Sequence, residues 1–193
     1  MKRKIALMGL LLVCGSAWAG AMSDAKRLNS IWDAVHDRLT RQSDAWFKQG
    51  DYPRVVQLLR FDYSLNPSDY DTATNLGWML ENIEQWDAAL AVYIQLRTSN
   101  PNVPDDAWPE ANYYYMKKAY AKVPPILEPT IKNHPHPNTF RTLAHAYEKM
   151  NMLADSKRIW QQYLTKNPND GPAKANLDRV TKKLAGGATG GKK

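Results

Sequence analysis

Residues suited to chemistry are few and scattered. The four histidines are His36, His134, His136 and His145. The run His134-Pro135-His136 puts two imidazoles beside one proline, enough for weak metal contact. A zinc site needs three or four ligands, and no further one lies near in the sequence. Cys14 is the single cysteine, so neither a disulfide framework nor a Cys-based zinc site can be built. No Gly-rich phosphate loop, G-x-S-x-G or H-E-x-x-H is present. The Asp and Glu residues show no spacing suited to paired acid–base work. No catalytic residue, metal or cofactor is therefore expected, and the chain reads as a non-enzyme.

The first residues read as an address. Lys2, Arg3 and Lys4 precede an apolar run from Ile5 to Cys14, which is followed by Ala17-Trp18-Ala19. This is the order of a cleavable signal peptide, with cleavage expected after Ala19 and export across a bacterial inner membrane. The run is shorter than the roughly 20 apolar residues of a membrane-spanning helix. Val13 before Cys14 is a poor match to a lipoprotein signal. The expected location is thus periplasmic or secreted, and the cleaved chain would carry no cysteine.

The remaining residues must be positioned by something periodic. Pro67, Pro101, Pro135 and Pro168 are spaced by 34, 34 and 33 residues. Three of them follow Asn and one follows His, good helix stops because the residue before proline leaves the helical region. Twenty-four residues before each proline stand Ser43, Gly77, Ala111 and Ala144, all small. Twenty-one before stand Trp46, Leu80, Tyr114 and Tyr147, all large. Twelve before stand Val55, Ala89, Val123 and Ser156, and eight before stand Leu59, Tyr93, Leu127 and Trp160. Alternating sizes at fixed offsets suit stacked antiparallel helix pairs, because a small residue lets helices approach and a large one fills the space beside it.

Turn signals separate the halves of each unit, as in Gln49-Gly50-Asp51, Glu84-Gln85-Trp86 and Met150-Asn151-Met152. The unit from Asp71 through Leu76-Gly77, Ala88-Ala89 and Tyr93 to Pro101 resembles the tetratricopeptide repeat in residue types and period. The resemblance implies an all-α, right-handed solenoid of about four helix pairs, over residues 36–168. Its units would fall near 36–69, 70–103, 104–136 and 137–170. An amphipathic helix over 20–35 would precede them, with Leu28, Ile31, Trp32 and Val35 on one face. A capping helix over 171–184 and a flexible tail over 185–193 would follow. Some positions depart from the family pattern. Gln42 and Glu110 stand where Leu is usual, Asp62 fills a normally small site, and Pro129 should kink or shorten its helix.

The resemblance also implies a concave groove lined by the first helix of each pair, where family members hold peptides. The offsets that face it hold Asp44 and Phe47 in the first unit, then Asp71, Trp78 and Glu81. The third unit supplies Asp105, Trp108, Asn112 and Tyr115, and the fourth supplies Arg141 and His145. Aromatics of this kind give rigid contact area at low entropic cost. One family mode, a clamp for a C-terminal carboxylate, is excluded. Asn75 fits it, but Asp105 and Pro109 stand where it needs cations.

The net charge of +7 and pI near 9.4 first suggest an anionic partner. Three of those charges lie before the expected cleavage site. The rest divide unevenly, with a net of −6 over residues 20–110 and +10 over 111–193. The expected partner is a protein or peptide with a basic segment, met in the envelope, and nucleic acid is not expected there. The opposed halves also allow self-association. The alternative reading is attachment to anionic lipid or acidic polymer through Lys182, Lys183, Lys192 and Lys193.

Overall fold

A computed structural model describes the backbone over residues 6–189 and the side chains over 24–186. Lys2, Arg3, Lys4, Lys192 and Lys193, and the side chain of Cys14, lie outside the described residues. Everything regular among the described residues is helical. Two compact units divide between Asp62 and Tyr63.

The first unit contains α1 (Ala6–Lys48) and most of α2 (Tyr52–Leu65). The amphipathic helix expected before the repeats runs on into the first repeat helix, since no Pro or Gly turn intervenes between Asp24 and Lys48. Helix α1 is followed by a turn at Gly50, whose φ is 74°, and the Asp51 N–H closes the turn on the Trp46 carbonyl at 2.9 Å. The chain then doubles back. Arg54 lies over the Trp46 ring at 5.9 Å, and Asp62 approaches His36 at 3.7 Å. Near contacts at both ends of the pair define an antiparallel hairpin. The departure at Asp62 is thus accommodated by an imidazole from the facing helix. Leu28, Ile31, Trp32 and Val35 are exposed on the same unit's long helix.

The second unit holds α3 (Tyr70–Asn82), α4 (Trp86–Ser99), α5 (Trp108–Met116), α6 (Val123–Leu127), α7 (Pro137–Lys149), α8 (Leu153–Lys166) and α9 (Gly171–Thr189). Consecutive helices pack as pairs: α3 on α4, α5 on α6, and α7 on α8, with α9 covering α8. The offsets read from the prolines are the packing positions. In this unit Gly77, Ala111 and Ala144 are buried, as are Ala89, Val123 and Ser156, and Tyr93, Leu127 and Trp160. Helix α9 runs on to Thr189, beyond the expected end at 184. Among the described residues, no helix is long and apolar enough to cross a membrane.

The turns within the pairs share one construction. Glu84, Lys118 and Asn151 have φ near +60°, at the position that Gly50 holds in the first unit. All four precede their prolines by 17 residues. In each turn the following N–H reaches back five residues: Gln85 to Leu80 at 2.8 Å, Ala119 to Tyr114 and Met152 to Tyr147 at 2.9 Å. This is the left-handed helix closure, which satisfies carbonyls that the helix end leaves open.

The third pair is irregular for the reason its prolines give. Its first helix is preceded by a 3-10 turn at Pro104–Ala107. Its second, α6, stops before Pro129 and continues as a 3-10 stretch from Glu128 to Asn133. Polar pairs fasten successive pairs to one another. Arg97 of α4 meets Glu110 of α5 at 2.5 Å, and Glu110 occupies the slot that buried Leu76 and Leu143 fill elsewhere. Arg158 of α8 meets Glu128 at 2.5 Å, and Arg179 of α9 meets Glu148 of α7 at 2.9 Å. The joints carry further bonds. Asn100, just before Pro101, donates to the Ser68 carbonyl and to Asp106, at 2.8 and 2.7 Å.

Candidate partner-binding clefts

Within the second unit, two clefts hold four of the groove candidates, Asp105 and Trp108 in one and Tyr115 and His145 in the other. The starts of three first helices converge at one of them. It is lined by Tyr70 of α3, Val103, Asp105 and Asp106, Trp108 of α5, and Asn138 near the start of α7. His136 also lines this cleft. Local bonds set each side chain. Asp69 caps α3 by accepting from the Thr72 N–H at 2.7 Å, which fixes the neighbouring Tyr70. Asp105 accepts from the His136 N–H at 2.7 Å and so ties the third pair to the fourth. The Trp108 indole N–H donates to the Thr142 hydroxyl at 3.0 Å, leaving its ring half-buried at the wall.

This cleft is electrostatically unbalanced. Among the described residues, no Lys, Arg or His forms an ion pair with Asp69, Asp71, Asp105 or Asp106. Burial raises the Asp106 carboxyl above its usual range. The Asn100 amide opposes that shift, and Asp105 and Asp69 add to it. Burial likewise raises the Tyr70 hydroxyl, with Asp105, Asp106 and Asp71 acting in the same direction. Beside burial, the Asp contributions to both shifts reflect the negative potential of this cleft.

The second cleft lies at the other end of the same helices. Tyr115 of α5, His145, Glu148 and Lys149 of α7, and Arg179 and Lys183 of α9 line it. Glu148 accepts from Arg179 at 2.9 Å and from Lys183 at 2.7 Å, with His145 at 3.7 Å. Burial works against the Glu148 carboxylate, but the Lys183 hydrogen bond and the Arg179 and Lys183 charges outweigh it and hold it below its usual range. Burial lowers His145, against the pull of Glu148, and its ring stands edge-on to Trp160 at 5.1 Å. Three cations therefore face one carboxylate, and Lys149 has no ion pair among the described residues.

The other candidates lie elsewhere. Trp78 and Asp71 are exposed on α3 and line neither cleft. Glu81 accepts from the Tyr93 hydroxyl at 2.8 Å, inside the α3–α4 pair. Arg141 is held by Asp170 at 2.9 Å and lies over the Tyr163 ring. Asn112 is half-buried on α5, between Trp108 and Tyr115. In the first unit, Asp44 is exposed and Phe47 meets Tyr52 with centroids 5.5 Å apart. Lys182 and Lys183, proposed for surface attachment, pair with Asp178 and Glu148 at 2.7 Å. His134 contacts Lys166, and His136 caps α7 by accepting from the Asn138 N–H at 3.2 Å. No three His, Cys, Asp or Glu side chains among the described residues gather as metal ligands.

Sequence reading missed Tyr70, Asp106 and Arg179, and gave Lys183 to surface attachment rather than to a cleft. The first two stand just before the groove offsets or between them. Arg179 and Lys183 belong to the capping helix, which has no offset in the repeat pattern. A usable signal was present in Asn66-Pro67-Ser68-Asp69 and Asn167-Pro168-Asn169-Asp170, where Asp two residues after the proline caps the next helix.

The helix pairs, their common closure and their period define a helical-repeat protein of the tetratricopeptide type. Solved structures with this fold include those of MamA, an all-helical protein of the same type. One MamA crystal structure is 12% identical over 74% of this chain and 84% of that one, with a TM-score of 0.61. MamA from Desulfovibrio magneticus RS-1 is 16% identical over 76% of this chain and 84% of its own, at 0.59. MamA of AMB-1 is 18% identical over 76% and 88%, at 0.58. Likeness at such identities shows the fold. No protein-family model and no curated protein matches the chain.

Proposed function

We propose that this chain is an exported, non-enzymatic scaffold of the bacterial envelope, which holds a protein or peptide partner on the first-helix face of its repeats. The observation that carries this reading is the convergence of three helix starts on the cleft between Tyr70 and Trp108. Aromatic walls and unbalanced carboxylates there suit a basic segment of a partner. The tetratricopeptide-type fold supports it, because each repeat exposes its first helix along a continuous surface. Export rests on the signal-like residues 1–19.

The test is capture of envelope proteins by the purified chain, followed by affinity measurement on the recovered partner. Trp108→Ala, Trp78→Ala and Phe47→Ala should each weaken capture by about 1 kcal/mol or more where the ring is an interface anchor. Capture unchanged in all three variants, with helicity intact, removes this reading.

A further inference from the structure

The two clefts are joined by continuous helix faces. Trp108 and Tyr115 stand seven residues apart on α5, which returns them to one side of the helix. Asn138, His145 and Lys149 do the same on α7. At about 1.5 Å per residue, Trp108 and Tyr115 are separated by roughly 10 Å along the axis. An extended peptide covers that span in about three or four residues. Midway, the Asn112 side chain makes no hydrogen bond among the described residues, so its amide is open to a peptide backbone.

The two ends differ in charge. At one end Asp105 and Asp106 lie between Tyr70 and Trp108 with no cationic partner among the described residues. At the other, Lys149, Arg179 and Lys183 face the single carboxylate of Glu148. Ring faces attract cations, so Tyr70 and Trp108 add to the pull of the carboxylates. We propose that the face shared by α5 and α7 reads a partner segment by charge order: a Lys or Arg side chain enters the cleft between Tyr70 and Trp108, and an Asp or Glu side chain three or four positions away meets Lys149, Arg179 and Lys183. This rests on the scaffold reading above and adds to it a spacing and an orientation. A segment with both charges in register docks in one direction only, because reversal sets like charges together.

The test is selection of random twelve-residue display peptides on the full chain at low ionic strength. Affinities of the selected peptides are then measured for the parent, Asp105→Asn and Lys149→Gln. The Asn amide oxygen can still accept from the His136 N–H, and Lys149 has no ion pair among the described residues, so both variants should keep the parent's melting temperature. Selected peptides should pair a basic with an acidic residue at that spacing. Asp105→Asn should weaken them about tenfold and Lys149→Gln about threefold, and both should reduce the dependence on salt. Peptides that carry a basic residue with no spaced acid, or that bind Lys149→Gln as well as the parent, overturn the charge order and leave the scaffold reading standing. Selection of no peptide, or of peptides indifferent to Trp108→Ala and to both charge variants, overturns both.

Discussion

Gly77 of α3 lies directly against the ring of Tyr93 of α4. A Cβ placed on Gly77 would fall 2.2 Å from Tyr93 Cε1 and 2.4 Å from Cζ. Tyr93 is buried and its hydroxyl is held by Glu81 at 2.8 Å, so the ring cannot swing aside without losing that bond. Gly77→Ala should therefore cost about 1–3 kcal/mol through overpacking. Thermal unfolding followed by circular dichroism should show a melting point lower by roughly 3–10 °C. An unchanged melting point would mean that the two helices are not in this close contact.

The common turn predicts opposite responses at equivalent positions. Gly50 has φ 74° and open space around it, so Gly50→Ala should cost about 1 kcal/mol from the backbone alone. Lys118 has φ 60° and bears the strain that Gly50 avoids. Lys118→Gly should stabilise by about 0.5 kcal/mol, after the extra freedom of glycine in the unfolded chain is set against the relief. Denaturant midpoints for the two variants should move apart.

Arg97 and Glu110 form a pair whose carboxylate is buried and whose guanidinium is about one-third exposed. Arg97→Met alone leaves that carboxylate without a partner and should cost about 2 kcal/mol, allowing for solvent at the Arg side. Glu110→Leu added to it should restore most of the loss, because Leu76 and Leu143 fill the same slot in neighbouring pairs. A double variant no better than the single one would exclude this account.

Asp170 predicts an acid response. The Tyr163 hydroxyl, the Ala173 N–H and Arg141 all bind its carboxylate and hold it down to about 2. Its unfolded value is near 3.9. A lowered folded value gives stability that is present above about pH 4 and lost as pH falls towards 2. Asp170→Asn, which keeps a side-chain acceptor for α9, should be less stable than the parent by a constant amount above pH 4. The two melting curves should converge on acidification. A constant gap down to pH 2 would rule out Asp170 as the source.

Export has its own measurement. Secreted expression in a Gram-negative host should give a periplasmic product whose first residue is Gly20, by intact mass and N-terminal sequencing. A cytoplasmic product that begins at Met1 would remove the envelope part of the proposed function.

Much of the fold was legible because packing repeats. The proline spacing marked the pairs, and the small and large offsets marked residues such as Ala111, Ala144 and Trp160, which the structure buries. The left-handed turn residues were hidden because Glu84 and Lys118 carry no sign of their backbone state. Glu110 looked like a flaw in the pattern, since its partner Arg97 belongs to the preceding pair. The clefts were half legible. Asp105, Trp108, Tyr115 and His145 follow from helical offsets, whereas Tyr70, Arg179 and Lys183 reach the clefts through junctions and the cap, where the repeat rule supplies no position.

The pairs Arg97–Glu110, Arg158–Glu128 and Arg179–Glu148 sit at three successive joints; the first takes its acid from the later unit, the other two from the earlier one, each from a different position in its unit. Each joint thus recognises its own neighbour. Shuffling the order of the repeats, or duplicating one of them, would part these carboxylates, the buried Glu110 among them, from their arginines. Units that look interchangeable by their spacing are written in a fixed order, and lengthening this chain by simple gene duplication would demand new charges at every new seam.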